Sequence, residues 1–137
     1  MSSYILVDTN VILDTINYDE RWSLWSIKTL ENCSDKYQLA INPIIYAELS
    51  VGFEKIEDLE EALSLYEKLP LLYEAGFLAG KAFLNYRRDN LGQKTAPMPD
   101  FYIGAHAALL QIPLITRDIR RYQTYFPTLE LIKPEVH

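Results

Sequence analysis

Short apolar runs alternate along the chain with longer stretches of helical spacing. Tyr4, Ile5, Leu6 and Val7 form the first run, closed by Asp8, as a strand buried in a parallel sheet should be. Thr9 and Asn10 then offer helix-capping side chains ahead of Val11, Ile12 and Leu13. Residues 20–34 read as a helix carrying Trp22, Trp25, Ile27 and Leu30, and residues 37–41 as a second strand. Asn42 and Pro43 mark a helix start, with Asn as cap and Pro at the first helical position. That helix carries Ile44, Ile45, Tyr46, Ala47, Glu48 and Leu49, and Gly52 can end it. Ile56, Leu59, Leu63 and Tyr66 recur at helical spacing, so an amphipathic helix is expected over 56–69. Another is expected over 73–90, ending at Asn90 and followed by Gly92. A loop with Pro97 and Pro99 leads into a helix over 99–111, and residues 113–116 and 129–132 read as two further short strands.

Strands separated by helices imply an α/β fold, a central mainly parallel sheet flanked by helices. No repeat, linker or low-complexity tract interrupts the 137 residues, so one domain over 1–137 is expected. No apolar run approaches the length needed to cross a bilayer. The chain enters its first strand within three residues, leaving no room for a signal peptide, so a cytoplasmic location and no membrane partner are expected. A single cysteine, Cys33, excludes an internal disulfide framework and reads as a buried small hydrophobe.

The net charge of −6 argues against a general nucleic-acid coat protein. Its distribution is uneven. Residues 1–80 hold 14 acids and 5 bases, whereas residues 81–121 hold Lys81, Arg87, Arg88, Lys94, Arg117, Arg120 and Arg121 against Asp89, Asp100 and Asp118. Arg87, Arg88, Arg117, Arg120 and Arg121 are therefore candidate contacts for phosphate, with a solvated face as the plain alternative.

In a parallel sheet the functional crevice lies beyond the carboxyl ends of the strands. Four acids occupy informative places. Asp8 closes the first strand, Glu48 lies about a turn and a half into the helix after the second, Asp100 stands in the first turn opened by Pro99, and Asp118 follows the strand ending at Thr116. Each has a plain role available: helix cap for Asp8 and Asp118, solvent or helix-dipole contact for Glu48 and Asp100. Together they point to a hard cation. Clustered carboxylates repel and force a proton onto one of them. Mg²⁺ or Mn²⁺ removes that conflict, prefers oxygen ligands, and leaves positions for a phosphate oxygen and a water. Thr9, Asn10 and Thr116 are polar neighbours of the set. His106, alone in an alanine-rich helix, reads as structural, as do Gly104 and its neighbouring alanines, whose small size lets that helix lie close to the sheet. Trp22 and Trp25, one helical turn apart, read as core with a partner-binding face as the alternative, and most of the ten tyrosines as core or rim.

These residues resemble the motifs of PIN-domain ribonucleases, and within them the VapC-like toxins of toxin–antitoxin pairs. The likeness begins at Ile5 to Val11, continues at Pro43 to Leu49, is strongest at Pro99 to Ala107, and closes with Leu114 to Asp118 and the tail from Arg121 to Pro127. It implies a PIN-like fold and an Mg²⁺- or Mn²⁺-dependent endoribonuclease with Asp8, Glu48, Asp100 and Asp118 as catalytic and metal-binding acids. By the same likeness Thr9, Asn10 and Thr116 support the site. The resemblance further implies an RNA substrate and a cognate VapB-like antitoxin, with assembly as a homodimer or a toxin–antitoxin hetero-oligomer. One departure stands out: many relatives carry an acid or polar residue three positions after the one matching Asp118, where this chain has Arg121. Two other classes were weighed against this reading. A phosphotransfer domain with Asp8 as nucleophile lacks the second acid wanted at Asn10, or the lysine wanted at Arg117. A binding module without catalysis would keep the fold but leave the four acids without a task.

Overall fold

The N-terminal apolar run forms β1 (Ser3–Val7), the middle strand of a five-stranded sheet. β2 (Tyr37–Ile41) and β4 (Leu114–Ile115) flank it, and β3 (Glu67–Lys68) and β5 (Leu131–Ile132) form the edges, every pairing being parallel. The computed structural model describes residues 3–90 and 98–135; Gly92, Lys94, Pro97 and His137 lie outside them. The chain steps outward from β1 to β2 and β3, then returns to β4 on the other side of β1. The order therefore reverses between β1 and β4, where the strand ends part to leave a crevice. Asp8 sits at that point, its backbone N–H donating to Ile115 O at 2.9 Å.

Ile5, Leu6 and Val7 have no solvent exposure, since helices cover both faces of the sheet centre, and this is why the strand reads as an unbroken apolar run. The helices are α1 (Thr9–Asn17), α2 (Ser23–Ser34), α3 (Pro43–Ser50), α4 (Ile56–Ala62), α5 (Tyr73–Asp89), α6 (Pro99–Leu110) and α7 (Arg120–Tyr125). Among the described residues none is long and apolar enough to cross a membrane. Cys33 is buried among core residues of the sheet and α2.

Several local expectations change. The cap of α1 is Asp8 itself, whose Oδ1 accepts from Thr9 N at 2.8 Å; Thr9 and Asn10 are already helical. α2 starts at Ser23 rather than residue 20, because Asp19 Oδ2 accepts from the backbone N–H groups of Arg21 and Trp22 and holds those residues in a turn. α3 runs as expected, with Asn42 Oδ1 accepting from Ile45 N at 2.9 Å at its start, and Val51 as C-cap with Gly52 directly after it at its end.

The single helix expected over 56–69 stops at Ala62. Leu63 is buried without being helical, and the chain then extends as β3, where Leu69 N donates to Ile41 O at 2.9 Å. Nor does Gly104 serve close approach to the sheet alone. A Cβ there would meet Phe126 ring carbons at 2.7 Å and Tyr122 Cδ1 at 3.1 Å, so the glycine makes room for the side chains of α7 and its C-terminal cap.

Candidate active site

Asp8 lies at the carboxyl end of β1, only 6% exposed. Its Oδ2 accepts from the Thr116 hydroxyl at 2.8 Å, the Tyr122 hydroxyl at 3.0 Å and Asn10 Nδ2 at 3.3 Å. Among the described residues no lysine or arginine pairs with it. Burial raises its carboxyl from 3.8 to about 6; the charge of Asp100 adds to this, and the bonds from Thr116, Tyr122 and Thr9 oppose it. With the Thr9 N–H on Oδ1, this buried acid has four donors and no countercharge, an environment that suits a bound cation.

Tyr122 is the residue that sequence reading missed. It is almost wholly buried, and its hydroxyl is raised well above the ordinary phenol value by burial and by the negative charges of Asp8, Asp100 and Glu48. It therefore stays protonated and donates to Asp8. Thr9 sets Glu48 beside Asp8: its backbone N–H donates to Asp8 Oδ1 at 2.8 Å and its hydroxyl to Glu48 Oε1 at 2.6 Å.

Each acid is held differently. Glu48, on α3, accepts from the Thr9 hydroxyl at its Oε1, 2.6 Å away. The cap that starts this helix is braced from behind, since Asn42 Nδ2 lies 3.0 Å from Nδ1 of the fully buried His106. Burial lowers the His106 pKa, so the ring is neutral and structural. Asp100, in the first turn of α6, accepts from Arg121 Nη1 at 2.8 Å. Asp118 is exposed; its backbone N–H donates to Thr116 Oγ1 at 3.1 Å. It does not cap α7, whose N-cap is Ile119 without a side-chain bond. Asp118 and Asp100 line one cleft of about 840 Å³ together with Tyr86, Arg120, Arg121 and Tyr125.

Among the described residues no three acids, histidines or cysteines already form a ready metal cage. Thr9 holds Glu48 and Arg121 holds Asp100, while Asp118 stands at the rim. The donor set still fits a hard cation: all its oxygens are carboxylate or hydroxyl, and the deepest member lacks a countercharge.

The candidate phosphate contacts separate. Arg117 is committed to the buried Asp14, through Nε at 2.8 Å and Nη2 at 2.9 Å, and lies over the Trp22 ring at 5.4 Å. Trp22 and Trp25 meet edge to face at 6.3 Å and are half-buried rather than fully core. Arg87, Arg88 and Arg120 are exposed, and Arg120 lines the cleft.

The PIN domain family model matches residues 5–127. The chain is 26% identical to Ribonuclease VapC of Rickettsia bellii (strain RML369-C), over 93% of this chain and 94% of that protein. Its fold is similar to VapBC2 from Rickettsia felis bound to a DNA fragment from its promoter, with a TM-score of 0.74 and 22% identity, covering 96% of this chain and 99% of that one. It is also similar to DNA-bound VapBC from Salmonella typhimurium, with a TM-score of 0.70 and 23% identity, covering 97% and 98%.

Proposed function

The chain belongs to the PIN-domain family, and from that premise we propose that it is a metal-dependent endoribonuclease, the toxin of a toxin–antitoxin pair, acting in the cytoplasm. The observation that carries this reading is Asp8 itself: buried, held by hydrogen-bond donors, without a basic partner among the described residues, and with Glu48 held next to it by Thr9. A buried carboxylate beside a second acid is costly without a cation. Similarity to a ribonuclease over nearly the full length supports RNA as substrate. Solved relatives described as VapBC assemblies support a VapB-like antitoxin as partner.

Asp8, Asp100, Glu48 and Asp118 would hold Mg²⁺ or Mn²⁺. When bound, the ion activates a water and neutralises charge developing on the phosphate. The chain's own residues do the rest. Thr116 and Tyr122 fix the rotamer of Asp8 with two hydroxyl donors. Thr9 orients Glu48, and the cap bond from Asn42 fixes the helix that carries it. Asp118, exposed beside Arg120, lines the open cleft along which a phosphate backbone can reach Asp100; Asp8 and Glu48 lie outside its lining.

The test is cleavage of a mixed RNA substrate with Mn²⁺ or Mg²⁺ and after EDTA. Activity is expected only with metal, and is expected to be lost in Asp8→Asn and Asp100→Asn proteins that melt at or above the wild-type temperature. Cleavage by Asp8→Asn at the wild-type rate would end this reading.

A further inference from the structure

Arg121, in the first turn of α7, bonds through its guanidinium directly to Asp100, one of the candidate ligands. We infer that Arg121 is a built-in countercharge that occupies Asp100 in the metal-free protein and must leave it when a divalent cation binds. This rests on the metal-dependent reading above and adds a regulator of the same site.

Three observations carry it. The contact is a charge-assisted bond, 2.8 Å from Arg121 Nη1 to Asp100 Oδ2. The guanidinium also lies against aromatic rings, 5.2 Å from the centre of Tyr86 and 5.7 Å from that of Phe101, both packed against Tyr125. Those rings keep the cation beside the carboxylate instead of letting it drift into water. Both side chains are about a third exposed, at 32% and 33%, so the contact is open to exchange with solvent ions.

Arg121 holds Oδ2, so an inner-sphere cation must either take that oxygen or bind Oδ1 beside the guanidinium, where two positive charges on one carboxylate repel. Arg121 and the metal therefore compete for Asp100. The adjacent residue behaves oppositely: the neutral Tyr122 hydroxyl can keep its bond to Asp8 in either state. One short helix, α7, therefore delivers a removable donor to one acid and a permanent donor to another.

The test uses MnCl₂ alone, without RNA, titrated into wild type, Arg121→Gln and Arg121→Lys and followed by calorimetry and by the electron paramagnetic resonance of free Mn²⁺. Arg121→Gln is expected to bind Mn²⁺ about three- to tenfold more tightly than wild type, with Arg121→Lys between them. A merely structural role for Arg121 would lower the melting temperature without tightening Mn²⁺ binding. A second measurement needs no variant: with Mg²⁺ the ¹⁵Nε resonance of Arg121 is expected to move toward that of a free arginine, and not to move in Asp100→Asn. Equal or weaker Mn²⁺ binding by Arg121→Gln, or an unmoved resonance at saturating Mg²⁺, overturns the inference while the metal site survives. No Mn²⁺ binding by any of the three proteins overturns both.

Discussion

The Tyr122 hydroxyl donates to Asp8 Oδ2 across 3.0 Å, joining residues 114 positions apart in the chain. The bond belongs to a tyrosine in an otherwise polar six-residue helix, and it decides which way the deepest acid of the site faces.

Tyr122→Phe removes that donor and leaves the ring in place. Because the bond lowers the Asp8 pKa, its loss raises it further, and the acid limb of the pH–rate profile is expected to move to higher pH. We expect kcat to fall about tenfold with KM changed by less than about twofold, and stability to fall by about 1 kcal/mol. Steady-state kinetics from pH 5 to 8 and urea unfolding check this. An unchanged pH profile would deny Tyr122 its positioning role.

Asp8→Asn is expected to stabilise the metal-free protein at neutral pH. The folded state raises the Asp8 pKa from 3.8 to about 6, so folding favours the protonated acid. That favourable contribution is complete below pH 3.8 and is lost as pH rises through about 6. The gap between the two values corresponds to roughly 3 kcal/mol. Asparagine has no charge to bury and still accepts from Thr116 and Tyr122. Melting curves in EDTA should show the variant several degrees above wild type at pH 7.5, with the difference vanishing near pH 3.5. A gap that persists unchanged at acid pH would contradict the burial account.

Gly104→Ala puts a methyl 2.7 Å from the Phe126 ring and 3.1 Å from Tyr122. Alanine favours a helix by about 1 kcal/mol over glycine, but overpacking costs about 1–3 kcal/mol. Phe126 is itself buried and packed on Phe101, so it has little room to yield. A net loss of about 1 kcal/mol is expected, with cleavage reduced because Tyr122 is displaced from Asp8. Urea unfolding and kinetics on the same preparation measure both.

Arg117 and Arg120, three residues apart, should behave differently. Arg117→Met strands the buried Asp14, which then keeps only the Ser26 hydroxyl at 2.8 Å, and is expected to cost about 2–4 kcal/mol. Arg120→Ala should change stability by no more than about 0.5 kcal/mol while weakening RNA binding. Chemical denaturation and a salt-dependent RNA-binding titration separate the two roles.

Much of the sheet was legible because β1 and β2 are buried at their carboxyl halves, and burial writes itself as an apolar run. β3 was not legible. It is two exposed residues, Glu67 and Lys68, added at an edge, and such a strand leaves no hydrophobic trace. The overlong helix over 56–69 has a related cause: Leu63 and Tyr66 keep helical spacing but pack against the core from a turn and a bend, and periodicity cannot tell these apart. In the site, Asp8, Thr116 and Glu48 were legible from their places after strands and within a helix. Tyr122 was not, since one tyrosine among ten carries no signal until α7 folds over Gly104. Arg121 was visible only as a departure from the family's pattern, and Arg117 could not be told from its neighbours until Asp14 was seen beneath it.

The long span between Asp8 and its two hydroxyl donors also sets an order of events during translation. Asp8 leaves the ribosome more than a hundred positions ahead of Thr116 and Tyr122. Contacts of such separation carry a large loop-closure cost. Until Tyr122 has been made the aspartate lacks both distant hydroxyls, so no N-terminal portion of the chain completes the setting of this carboxylate by itself.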